Sequence, residues 1–128
     1  MAENDLLLAL ARYAGILGLI YFALSALTIG ARRATGIGLG TGNSDLLLRR
    51  SRAHANFAEY VPLALVLAAG AVYAGAPAWA VHAGGLLLIA GRLAHATALY
   101  TASAALRVAG MAATFTVILA ASLWILTP

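Results

Sequence analysis

Apolar residues fill this chain in four long runs, and polar residues collect in the short gaps between them. The runs cover roughly 5–31, 45–73, 78–100 and 106–126. Each is at least the ~20 residues that a helix needs to cross the hydrocarbon core of a bilayer. The pattern predicts an all-α, integral membrane four-helix bundle, with the four transmembrane helices in up-down order and a single domain over residues 1–128. The gap after the first run carries Arg32 and Arg33 and then Gly36, Gly38, Gly40 and Gly42 on alternate residues. The Walker lysine of a phosphate loop is missing and no strand precedes the glycines, so this reads as a flexible connector. Asn43, Ser44 and Asp45 supply capping groups for the second helix. Pro62 inside that helix removes a backbone donor and predicts a kink. The four residues Ala74 to Pro77 form a short turn, making the second and third helices antiparallel neighbours. Trp79, His82 and Trp124 suit a membrane interface.

Composition strengthens this reading. The 128 residues are 63% hydrophobic and 9% charged, which does not describe a soluble domain. The net charge of +4 comes from arginine alone, because the chain has no lysine. In a span-rich chain such charge marks cytoplasmic loops, and a nucleic-acid partner is not expected. Arg32, Arg33, Arg49, Arg50, Arg52, Arg92 and Arg107 all fall on one side, whereas Arg12, Glu3 and Asp5 fall on the other. The positive-inside rule therefore predicts termini facing away from the cytoplasm. The acidic start, Glu3 to Asp5, does not suit a signal peptide, so the first run is read as a retained span. Arg12 is read as an arginine that snorkels to the headgroups and pairs with Asp5 or Glu3. There is no cysteine, so sulfur chemistry would have to come from a bound thiol.

The second run has an unusual entrance. Arg49, Arg52, Asn56 and Glu59 are spaced by three, four and three residues and share one helical stripe. Arginines stand at its mouth and a carboxylate lies deepest. A carboxylate at that depth requires an answering cation. Arg92, at similar depth on the third helix, is the natural partner, within one chain or across a subunit contact. An internal clasp of Arg52, Asn56, Glu59 and Arg92 would explain part of the pattern. The surplus of arginine favours a cationic funnel for an anionic ligand that also carries an amine. Glutathione, with two carboxylates and one amino group, has that charge pattern; phospholipid headgroups fit it less specifically.

The spacing Arg49, Arg52, Ala53, Asn56, Glu59, Pro62 resembles the signature of the MAPEG family, membrane-associated proteins of eicosanoid and glutathione metabolism. Gly91, Arg92 and His95 at the end of the third run, and Arg107, Gly110 and Met111 opening the fourth, extend the resemblance over nearly the whole chain. With His82, they look most like the bacterial inner-membrane branch. The resemblance implies a homotrimer of left-handed, up-down four-helix subunits, with glutathione as co-substrate at each subunit interface near the cytoplasmic face. Arg52, Asn56 and Glu59 would hold the peptide, Glu59 on its amino group, with Tyr60 beside it. Arg49 and Arg92 would add carboxylate contacts, and Arg107 would stabilise the thiolate. His95 stands where catalytic members carry an aromatic hydroxyl, and Tyr100 matches a second such place only with one residue inserted. The implied function is a membrane-bound glutathione-dependent transferase or peroxidase acting on lipophilic electrophiles or lipid hydroperoxides. The alternative is a non-catalytic lipid- or glutathione-binding scaffold of the same fold. Membrane lipid and further copies of the chain are the other expected partners. No metal or haem is expected; His54 with His95 is the one histidine pair that could share an iron.

Overall fold

The structure, a computed structural model, describes residues 2–127 and contains four helices: α1 (Glu3–Thr35), α2 (Asp45–Tyr73), α3 (Ala78–Thr101) and α4 (Ala104–Leu126). Each is long and apolar enough to cross a membrane. The protein is a four-helix membrane bundle. Its outer surface is that of a lipid-facing protein: Leu19 and Phe22 are each 72% exposed, and Val66 69%. Soluble monomers rarely carry such apolar area in contiguous patches, whereas lipid tails cover it without cost.

Local chemistry sets the helix ends. Ser44 accepts a hydrogen bond from the Leu47 amide and starts α2, and Ser103 accepts from Leu106 and starts α4; both satisfy amides that a helix terminus leaves free. α1 continues past residue 31 to Thr35 and stops at Gly36, whose φ of 69° lies in the left-handed region. The glycine connector is not a free tether. Arg32 Nη1 donates to the carbonyls of Ile37, Gly38 and Gly40 at 3.2, 3.1 and 3.0 Å. Positive φ at Gly36, Gly40 and Gly42 lets the chain curl so that these carbonyls meet one guanidinium. α2 runs unbroken through Pro62. Arg12 is exposed and, among the described residues, makes no ion pair with Asp5 or Glu3; Asp5 instead accepts from the Ala2 amide.

α2 and α3 form the middle of the bundle and touch each other and both outer helices, whereas α1 and α4 are not in contact among the described residues. Leu17, Leu24, Phe57, Val61, Leu88 and Val117 form the central core. Two close approaches register the helices around it. Against α1, Gly85 of α3 leaves room for the Tyr13 ring, and the Tyr13 hydroxyl and His82 Nδ1 are hydrogen bonded at 2.8 Å. Against α4, α3 comes into backbone contact at Gly91 and Gly110. A Cβ on Gly110 would lie 2.6 Å from the Gly91 carbonyl oxygen and 2.7 Å from the His95 amide, so a side chain there would force the helices apart. That contact fixes the depth of Arg92 and His95 relative to Arg107 and Met111.

Candidate functional site

The polar stripe of α2 lies where the sequence places it, and the structure divides it into a buried part and an open part. Asn56 is half-buried and accepts a hydrogen bond from Arg92 Nη1 at 2.5 Å. Arg92 is only 1% exposed. Its Nη2 is 3.5 Å from Met111 Sδ, and its Nε has no partner among the described residues. The only ion pair among the described residues is an exposed one, between Arg49 Nε and Asp45 at 2.8 Å. Arg92 is therefore a buried cation with no carboxylate beside it, an arrangement that is costly unless an anion arrives from elsewhere.

The expected pairing of Arg92 with Glu59 is not made within the chain. Glu59 is exposed, and no hydrogen bond or ion pair reaches it among the described residues. The reason is angular. Three residues along a helix turn a side chain about 60° away from its starting direction, so with Asn56 directed at α3, Glu59 points past it to the bundle's outer surface. Arg52 is also exposed. Two opposite charges thus stand open on a membrane-crossing helix.

His95, one turn beyond Arg92, is buried. Tyr60 is half-buried, packed edge-on against Phe115 of α4 with ring centres 5.5 Å apart. Tyr100 is exposed; five residues after His95 on a continuous helix, it points about 140° away. Arg107 is exposed on the first turn of α4 and shares with Arg49 the lining of a cavity of about 220 Å3 at the α3–α4 turn. Arg49 is partly occupied there: besides Asp45, its Nη1 donates to the Leu99 carbonyl at 3.4 Å. Arg50 lies off the stripe and caps the Leu27 carbonyl of α1 at 3.0 Å.

His54 stacks on Tyr21 of α1, with ring centres 4.8 Å apart, and so turns away from α3 and His95. No cluster of three or more metal-ligating side chains occurs among the described residues.

With this geometry in hand, the comparison with known proteins is decisive at the level of the family. A sequence model of the MAPEG family matches residues 10–127. The chain belongs to the MAPEG family. Among curated relatives, the inner membrane protein YecN of Escherichia coli strain K12 is 33% identical over 117 residues, covering 89% of each chain. The inner membrane protein YecN of Escherichia coli O6:H1 strain CFT073 matches to the same extent.

Two contributors to the site of this MAPEG protein carry no distinctive sequence signal. Met111 is quoted in the family pattern, but nothing in its spacing says that its sulfur meets Arg92. Phe115, eight residues after Arg107 on the same helix, backs Tyr60 and could be found only once α2 and α4 are known to touch.

Proposed function

We propose that this MAPEG protein binds glutathione at its cytoplasmic end and directs the thiol at lipophilic electrophiles or lipid hydroperoxides arriving from the bilayer. The observation that carries this reading is a set of charges without partners among the described residues: Arg92, buried behind Asn56, and the exposed Arg52, Arg107 and Glu59. A buried guanidinium, exposed Arg52 and Arg107, and exposed Glu59 together ask for a ligand with acidic groups and one amine. Glutathione has both, and it supplies the thiol that a chain without cysteine lacks.

In this reading Glu59 takes the ammonium, while Arg52 and Asn56 take carboxylate or peptide oxygens, with Arg92 behind Asn56 and Arg49 at the rim. Arg107 lies beside the sulfur and favours the thiolate, which is the nucleophile. The thiolate attacks the electrophilic carbon, a carbon–sulfur bond forms, and the leaving group departs with the bonding electrons. With a lipid hydroperoxide, two glutathione molecules are oxidised to the disulfide as the hydroperoxide becomes an alcohol and water. His95 is the nearest buried group able to hold or pass a proton. The exposed charges of Arg52 and Glu59 on a lipid-facing helix are best covered by another copy of the chain, in keeping with the homotrimer that the family resemblance implies, and the arginine count sets its termini away from the cytoplasm.

One observation favours a second, non-catalytic reading: the phenol of Tyr100 is turned away from His95, leaving that face of α3 without a phenol donor to the sulfur. Titration calorimetry with glutathione in nanodiscs, paired with a conjugation assay on a lipophilic aryl halide, tests both. Binding with turnover is expected. Binding without turnover selects the scaffold, and no binding overturns the proposal.

A further inference from the structure

The bond between Arg92 and Asn56 fixes something that an asparagine otherwise leaves open. A carboxamide can present its oxygen or its NH2 group to a neighbour, and the two ends are nearly identical in shape. A guanidinium carries donors only. Because Arg92 Nη1 sits 2.5 Å from the amide of Asn56, the end facing Arg92 must be the oxygen. Arg92 is held in turn: it is buried, its Nη2 rests on Met111 Sδ, and the preceding Gly91 is pressed against Gly110. The NH2 is thus the end of Asn56 that Arg92 does not engage, on a helix whose Arg52 and Glu59 are exposed. Within the chain, no hydrogen bond from that NH2 is present among the described residues.

We infer that Arg92 is a positioning residue that engages the Asn56 oxygen and leaves the NH2 as the end offered to a ligand, so the ligand atom docking on that NH2 is an acceptor oxygen. A carboxylate or a peptide carbonyl meets that requirement. An ammonium does not, and it is left to Glu59. The identity of the ligand rests on the glutathione reading above; the orientation of the amide does not. The same geometry separates two properties that a simple structural clasp would couple. An aspartate at position 56 would set an anion against the uncompensated Arg92 guanidinium and remove the outward donor.

The test uses the full-length protein in nanodiscs as wild type, Asn56→Asp and Arg92→Met, followed by thermal unfolding and by calorimetric titration with glutathione. Asn56→Asp is expected to raise Tm by about 4 °C and to weaken glutathione binding at least tenfold. Arg92→Met is expected to weaken binding although it leaves Arg52, Asn56 and Glu59 in place. A Tm of Asn56→Asp that is unchanged or lower overturns the contact of position 56 with an uncompensated Arg92, on which the orientation rests. A raised Tm with unchanged affinity overturns the donor role, and wild-type affinity in Arg92→Met overturns the positioning role. If the wild type takes up no glutathione, the functional reading falls alone, and the sign of the Tm change still decides whether position 56 meets an uncompensated Arg92.

Discussion

At the scale of single residues, the site depends on which charges have partners. Arg49 has Asp45 and the Leu99 carbonyl, and Arg32 has three loop carbonyls; neither is a free cation. Arg52, Arg107 and Glu59 remain open. Charge-assisted hydrogen bonds contribute about 1.5–3 kcal/mol each. Glu59→Gln, which keeps the shape and removes the charge, is therefore expected to weaken glutathione binding by roughly tenfold to a hundredfold, read by calorimetry. Arg107→Leu is expected to act differently. If its charge serves the thiolate in the transition state, the conjugation rate falls by about a hundredfold or more, with the affinity for glutathione much less affected; equal losses in rate and affinity would place Arg107 on a carboxylate instead. The stripe of Arg49, Arg52, Asn56 and Glu59 was legible from spacing because helical periodicity places those residues together. The partner of Arg92 was not. Asn56 and Glu59 differ by only about 60° around α2, and the choice between them depends on how closely α3 approaches, which no residue of α2 encodes.

At the scale of helices, apolar runs of more than about 20 residues leave little freedom of interpretation, and the ends of α2 at Asp45 and Tyr73 follow from a capping serine and a short turn. Register between helices is a different matter. It is set by Gly91 against Gly110 and by Tyr13 lying over Gly85, contacts between residues far apart in sequence that only the folded chain pairs. Gly110→Ala is expected to destabilise the bundle by about 1–3 kcal/mol, seen as a lower Tm in detergent. Because the same contact fixes the depth of His95 and Arg92, glutathione binding should weaken with it. Tyr13→Phe removes only the hydroxyl that meets His82 and is expected to cost about 0.5–1.5 kcal/mol while leaving glutathione binding unchanged, since that pair joins α1 to the opposite end of α3 from Arg92. The glycine connector shows the converse error of sequence reading. Alternating glycines suggest a tether, yet their freedom to adopt positive φ lets the loop fold onto Arg32.

At the scale of the whole molecule, the isolated chain exposes two kinds of surface: broad apolar faces that lipid covers, and the Arg52 and Glu59 patch that lipid does not. The second is the physical argument for a contact between copies of the chain that hides those charges. Orientation can be tested cleanly because the natural chain has no cysteine. Gly38→Cys in the α1–α2 connector is expected to react with a membrane-impermeant maleimide only from the cytoplasmic side, and Ala74→Cys in the α2–α3 turn only from the other; reversed labelling would move the cationic end out of the cytoplasm. The central claim, that the open charges beside buried Arg92 form a glutathione site shared between subunits, is tested most directly by a structure of the protein in nanodiscs determined with glutathione. The account predicts a trimer with the peptide at each contact, its ammonium on Glu59, its acceptor oxygens on Arg52 and Asn56, and its sulfur beside Arg107. A lipid headgroup on those residues, or a subunit interface that leaves Arg52 and Glu59 facing the bilayer, would contradict it.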